Sequence, residues 1–153
     1  MKRPRLYIDT PVIGGCLDEE FAEDSIRLVN AAKNGKAIFV ISDTVYEEVM
    51  KAPQEVRDVL SAIPNEALET LTETAAIAEL RDAYLAAKIL NAKSRNDAIH
   101  VAYATIARVD AIVSWNFKHI VRFDKIKAFN QVNFQNGYGV LQIGSPKEVL
   151  FDE

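Results

Sequence analysis

Along the chain, short apolar runs alternate with longer segments in which apolar residues recur every three or four positions. The short runs suit strands and the longer ones suit helices. Arg5 to Asp9 reads as a first strand, with Leu6, Tyr7 and Ile8 as its core and Asp9 as its end. Pro11 then suits the first turn of a helix, where its missing N–H costs nothing. A second helix is predicted from about Glu23 to Asn34, stopped by Gly35, which can take the left-handed conformation of a helix end. Ala37 to Ile41 is β-branched and aromatic, hence a buried strand. Thr44 opens a third helix, and another follows Pro53. Glu66 to Leu71 reads as a short strand, and Glu73 to Leu90 as an amphipathic helix with Ile77, Leu80, Tyr84 and Ala87 on one face. Asp97 to Arg108 is apolar on nearly every side and is therefore a buried helix. Ala111 to Ser114 and Val140 to Ile143 supply the fourth and fifth strands, before a last turn at Ser145 to Glu148.

This strand–helix alternation predicts one three-layer α/β/α domain over residues 1–153, with a central parallel sheet of about five strands. No repeat, low-complexity stretch or linker divides the chain. In open sheets of this kind, ligands bind beyond the carboxyl ends of the strands. Candidate chemistry is therefore sought where strands end.

Asp9 closes the first strand. It can be a metal ligand at the sheet edge, or an N-cap for the helix that begins at Pro11. In the third helix, Val45 and Val49 mark the buried face. A turn of about 100° per residue puts Glu48 at the flank of that face, roughly 60° from Val45, and Glu47 on the opposite side. Glu47 also completes Thr44-Val-Tyr-Glu, a capping box, which gives it a structural task. Glu48 is thus the metal candidate, against the ordinary reading of a solvated helix carboxylate. Asp97 begins a helix that is otherwise apolar, and a carboxylate there needs a cation or hydrogen-bond donors. Ser94-Arg-Asn-Asp97 equally resembles a capping box. Asn116 follows the fourth strand, where an amide oxygen can bind a hard cation or simply make a turn. Taken together, these residues put an acid or amide after three strands and at the start of the buried helix. Such oxygen ligands suit Mg²⁺ or Mn²⁺, and paired ions of this type can activate water against a phosphodiester.

Charge narrows this picture. The formal net charge is −4, so the chain is not a general nucleic-acid coat. Any RNA contact must be local, and Arg95, Lys118, Arg122, Lys125 and Lys127 are its candidates, with a solvated face the better reading of Lys125 and Lys127. His119 lies three residues beyond Asn116 and is a candidate substrate contact, although a capping or surface role is the commoner one. His100, on the buried helix, reads as a hydrogen-bonded core histidine. Trp115 could stack on a base, but packing is the commoner fate of a residue leaving a core strand. The single cysteine, Cys16, can form no intrachain disulfide, so a reducing, cytoplasmic setting is expected. No apolar run suffices for a membrane span, and the N-terminus reads as mature protein rather than a signal peptide.

The chain resembles the PIN domain family nearly end to end. The resemblance is carried by Leu6–Ile13 around Asp9, Ile41–Val49 around Glu48, Asn96–Ala104 around Asp97, and Ile112–Ile120 around Asn116. It implies a Mg²⁺- or Mn²⁺-dependent endoribonuclease with Asp9, Glu48 and Asp97 as its acidic core and Asn116 in the fourth position. Thr10 then sits beside the metal or the phosphate. Many bacterial and archaeal members are VapC-type toxins, so the resemblance also implies a homodimer and an antitoxin protein as partner. Two departures stand out: the fourth position is usually Asp, and Pro11 replaces a common Ser or Asn. They support an alternative, a catalytically degenerate PIN-like module that binds RNA or protein. A phosphatase with Asp9 as nucleophile ranks low, because no second acid follows two residues on. Dinucleotide binding ranks lower, because no Gly-rich fingerprint follows the first strand.

Overall fold

The computed structural model describes residues 3–151. Five strands form one parallel sheet: β1 (Arg5–Ile8), β2 (Ile38–Ser42), β3 (Leu68–Leu71), β4 (Ala111–Val113) and β5 (Ile143–Gly144), in the order β3-β2-β1-β4-β5. The helices are α1 (Thr10–Gly14), α2 (Ala22–Lys33), α3 (Asp43–Met50), α4 (Gln54–Ser61), α5 (Ala75–Ala86), α6 (Arg95–Ile106) and α7 (Phe123–Gln135). The strand-to-helix alternation predicted from the pattern is present, and the chain is a parallel α/β fold.

β1 lies at the centre because both of its neighbours bury it. Leu6, Tyr7 and Ile8 are at most 3% exposed. Its register pairs Tyr7 with Val40 of β2 and Ile8 with Val113 of β4. Continued by one or two residues, that register sets Asp9 level with Ser42 and Ser114. The three central strands therefore end side by side, and each ends in a polar residue that is buried. The strand order runs one way from β1 to β2 and the other way from β1 to β4, so the ends of β1 and β4 flank the switch point at which open sheets bind ligands.

Several boundaries shift from those predicted. The third helix begins at Asp43, not Thr44, because the Ser42 side chain accepts from the Val45 N–H at 3.2 Å and caps it. That displaces the expected capping box, and Glu47 is exposed. Helix α5 stops at Ala86, where Lys88 takes a positive φ of 60°, so Ala87 is exposed while Ile89 and Leu90 turn into the core. β5 is shorter and later than predicted, only Ile143–Gly144. Helix α7 has no counterpart in the predicted elements. Its buried face is narrow (Phe129, Val132 and Asn133), while Phe123 and Phe134 are 90% and 82% exposed. Apolar residues on the outer face blur the periodicity that would reveal the helix.

Candidate active site

Asp9 leaves β1 in extended conformation and stands at the N-cap position of α1, yet its side chain caps nothing. The Val12 N–H that a cap would bind goes to the Asp9 carbonyl, at 3.2 Å. Asp9 is 3% exposed. Its Oδ2 accepts from Ser114 Oγ at 2.5 Å, and its Oδ1 is buried with no hydrogen-bond partner among the described residues. The neighbouring Thr10 hydroxyl oxygen is also buried and unpartnered. Leaving such atoms unpaired costs about 1–3 kcal/mol each. Burial pushes the Asp9 carboxyl up to about 7. The Ser114 hydroxyl and the nearby Val12 amide oppose that rise, and the charge of Asp97 adds to it.

Glu48 stands on α3 with its side chain exposed. Partial burial raises its carboxyl above the usual range; Thr10 nearby eases ionisation, and Asp97 opposes it. The Thr10 hydroxyl lies close enough to act on Glu48 electrostatically, but it makes no hydrogen bond of good geometry. Asp97 sits in the first turn of α6. Ser94 makes no side-chain cap, so the capping-box reading of Asp97 fails. Instead Asp97 Oδ2 lies 2.8 Å from His119 Nδ1, both side chains about a quarter exposed.

Asn116 organises the turn after β4. Its Oδ1 accepts from the His119 N–H at 2.9 Å, and its own N–H donates to Ser114 Oγ at 3.0 Å. The turn thereby presents His119 to Asp97. Ser114 connects the two halves: fully buried, it donates to Asp9 and accepts from Asn116. Sequence reading passed it over. The available signal was a hydroxyl closing an otherwise apolar strand.

Asp97 lies near enough for its charge to act on both Asp9 and Glu48. Arg95 and Lys118 are exposed and bond none of these acids. Arg122 pairs with Asp124 and Lys125 donates to the Ile89 carbonyl at 2.6 Å, so both are already engaged; Lys127 is exposed. Trp115 is packed: it stacks on Phe21 at 4.4 Å and donates to Ser25 Oγ at 2.9 Å. His100 is a buried core histidine, held neutral by burial with its pKa near 4.

The donor chemistry suits a hard divalent cation. All candidate ligands are oxygens, and a buried carboxylate oxygen with no partner is the group a cation satisfies. The spacing is looser than the chemistry. Among the described residues, no three Asp, Glu, His or Cys side chains are gathered around a common point.

A parallel α/β domain with carboxylates placed beyond its central strands defines the class of this protein. A family model described as PIN domain matches residues 5–118, and the chain belongs to the PIN domain family, whose members are usually nucleases and generally bind divalent metals. Among curated proteins, no sequence matches it. Among solved structures, it is similar to a toxin–antitoxin complex from Klebsiella pneumoniae, with TM-score 0.56 and 20% identity over 78% of this chain and 93% of that one. It is also similar to VapBC2 from Rickettsia felis bound to a DNA fragment from their promoter, with TM-score 0.55 and 18% identity over 92% of this chain and 98% of that one. At these identities the likeness is one of fold. Among the described residues, no helix is long and apolar enough to cross a membrane.

Proposed function

We propose that this chain is a divalent-metal-dependent endoribonuclease that hydrolyses RNA phosphodiester bonds. The observation that carries the reading is Asp9 Oδ1, a buried carboxylate oxygen without a partner, beside two further acids. Asp9, Glu48 and Asp97 would hold Mg²⁺ or Mn²⁺, with Asn116 at the fourth position and Thr10 beside them. The bound ion supplies activation of water and charge neutralisation at the phosphate. The chain's own residues do the rest. Ser114 fixes the orientation of Asp9 through Oδ2, and Oδ1, without a partner among the described residues, would be left to hold the cation. His119, held by the Asn116 turn, fixes Asp97 and would contact the substrate phosphate. Arg95 and Lys118 would hold the RNA backbone at the rim. The likeness to toxin–antitoxin structures supports a role as the toxin of such a pair, restrained by an antitoxin protein; such a toxin would act in the cytoplasm, as a homodimer.

A second reading, a PIN-like binding module without catalysis, is favoured by one observation. Asn116 Oδ1 already accepts a backbone hydrogen bond, and an amide there brings no charge to a second ion. Cleavage of a mixed pool of structured RNAs with Mn²⁺ decides between them. Cleavage by the parent that is lost in Asp97→Asn supports the nuclease. No cleavage by the parent, with no Mn²⁺ binding by calorimetry, supports the module.

A further inference from the structure

Directly beneath the acids runs a buried polar chain that the proposed chemistry does not use. Tyr7, fully buried, donates its hydroxyl to Ser42 Oγ at 2.9 Å, and the same hydroxyl lies 2.7 Å from His100 Nδ1. Ser42 in turn accepts from the Val45 N–H and caps α3. With the Tyr7 proton given to Ser42, the Tyr7 oxygen is free to accept from a protonated His100 Nδ1. A neutral imidazole suffices for this bond, and burial keeps His100 neutral. A second tie runs parallel: the Tyr103 hydroxyl donates to Asp43 Oδ1 at 2.7 Å, linking α6 to the start of α3.

Each member of the chain lies on, or caps, an element that carries one of the acids. Tyr7 is two residues before Asp9, so both side chains leave β1 on the same face of the sheet. His100 is three residues after Asp97, so the two lie one above the other on α6. Ser42 sets the start, and hence the axis, of the helix that carries Glu48. One phenolic hydroxyl therefore joins the three elements that carry the three carboxylates, one layer below them.

We infer that Tyr7 and His100 are positioning residues for the cation site: their hydrogen bond sets the separation of Asp9 and Asp97, so the site's affinity depends on a hydroxyl that never touches the ion. The inference rests on reading Asp9, Glu48 and Asp97 as that site. Groups that orient metal-holding side chains are typically worth roughly 10–100-fold in affinity.

The test is calorimetric titration of the full chain with Mn²⁺, alongside thermal melting, for the parent and four variants. Tyr7→Phe and His100→Leu should weaken Mn²⁺ binding by about tenfold or more. His100→Asn, whose short amide can place a donor near the Nδ1 position, should restore most of that affinity. Tyr84→Phe removes an equally buried, hydrogen-bonded hydroxyl remote from the acids, so it should lower the melting temperature while binding Mn²⁺ like the parent. Parent-like Mn²⁺ binding by a folded Tyr7→Phe overturns the inference, as does equal weakening in Tyr84→Phe, which would mark general loosening. If Tyr7→Phe does not fold, the His100→Leu and His100→Asn pair decides: a difference between them supports positioning, and none overturns it. A parent that binds no Mn²⁺ removes the site reading itself, a result distinct from all of these.

Discussion

Two clusters of buried polar groups stand at different places in this molecule, and they are treated in opposite ways. Between α5, α6 and α7, the Tyr84 hydroxyl donates to Asn133 Oδ1 at 2.5 Å, and Asn133 Nδ2 donates to Thr105 Oγ1 at 3.2 Å. Thr105 Oγ1 donates to the Val101 carbonyl at 2.9 Å. Every side chain in that cluster has a partner. At the carboxyl edge of the sheet, Asp9 is equally buried, but one of its oxygens and the Thr10 hydroxyl have none. Folding favours satisfied groups, since an orphaned one costs about 1–3 kcal/mol. The difference separates two arrangements: the first cluster fastens helices together, and the second keeps a cost that a bound ligand would remove.

The largest expected effect breaks the second cluster. Asp9→Asn and Asp97→Asn should each take Mn²⁺-dependent RNA cleavage below detection, measured on pooled structured RNA. Neither should unfold the protein. Asp9→Asn should in fact raise the melting temperature of the metal-free protein, because it removes a charge from a buried site. Retained cleavage in either variant would show that the acids are not the site.

The charge on Asp9 can be followed by pH. Its carboxyl is raised from an ordinary 3.8 to about 7, chiefly by burial. Between those values the unfolded chain releases a proton that the folded chain keeps, so stability falls as pH rises and the full cost stands above about pH 7. At about 1.4 kcal/mol for each pH unit, that cost is on the order of 4 kcal/mol. His100 slopes the other way. Burial lowers it from 6.5 to about 4, so its contribution is complete above 6.5 and is lost as pH falls through that window. The two partly cancel in the parent. The informative quantity is the melting difference between Asp9→Asn and the parent, which should widen from about pH 4 to about pH 7 and then flatten. Saturating Mn²⁺ should close that gap at pH 8 by stabilising only the parent. A difference that does not change with pH would mean that Asp9 is not the strained group.

Breaking the first cluster should do the reverse. Asn133→Ala removes the bonds its amide makes to Tyr84 and Thr105 and leaves the Tyr84 hydroxyl only its longer 3.3 Å contact with Thr105 Oγ1, at about 1–3 kcal/mol. In a chain of this size each kcal/mol is roughly 2–4 °C in melting temperature. Mn²⁺ affinity should not move. A loss of affinity here would couple the two clusters and blur the contrast drawn between them.

The two clusters also differ in how far the sequence revealed them. As candidates, Asp9, Glu48 and Asp97 could be picked out because Asp9 closes an apolar strand, Glu48 flanks a buried helix face and Asp97 opens an apolar helix, and because a parallel sheet sends strand ends to one edge. Their partners could not. Ser114 and Ser42 look like ordinary strand termini, and only the register of β1 against β2 and β4 shows that they lie beside Asp9. The local capping motifs misled: Thr44–Glu47 and Ser94–Asp97 fit the capping-box spacing, yet Ser42 and His119 claim the groups concerned. The Tyr84–Asn133–Thr105 cluster was illegible throughout, because α7 itself was hidden by its outward-facing Phe123 and Phe134. Spacing reveals what one element does by itself, whereas hydrogen bonds between residues 28 or 49 apart belong to the tertiary fold.

The smallest expected effect lies outside both clusters, at the rim. Arg95 and Lys118 are exposed, and neither bonds Asp9, Glu48 or Asp97. If they hold RNA phosphates, they do so as solvated charges, each worth little and screened by salt. Lys118→Ala should therefore weaken RNA binding only a few-fold, evenly across sequences, and lower the slope of log affinity against log salt by about one. Arg122→Ala is the internal comparison. Arg122 is already paired with Asp124 at 2.6 Å, so its removal should leave that slope nearly unchanged. Binding measured by anisotropy at several salt concentrations separates the two. Equal slopes for parent and Lys118→Ala would remove Lys118 from the RNA path. A larger change for Arg122→Ala would mean that its ion pair opens to take the phosphate. In either case the role proposed for the acids would stand, because a rim charge would alter how often RNA arrives and not what the carboxylates would do to it.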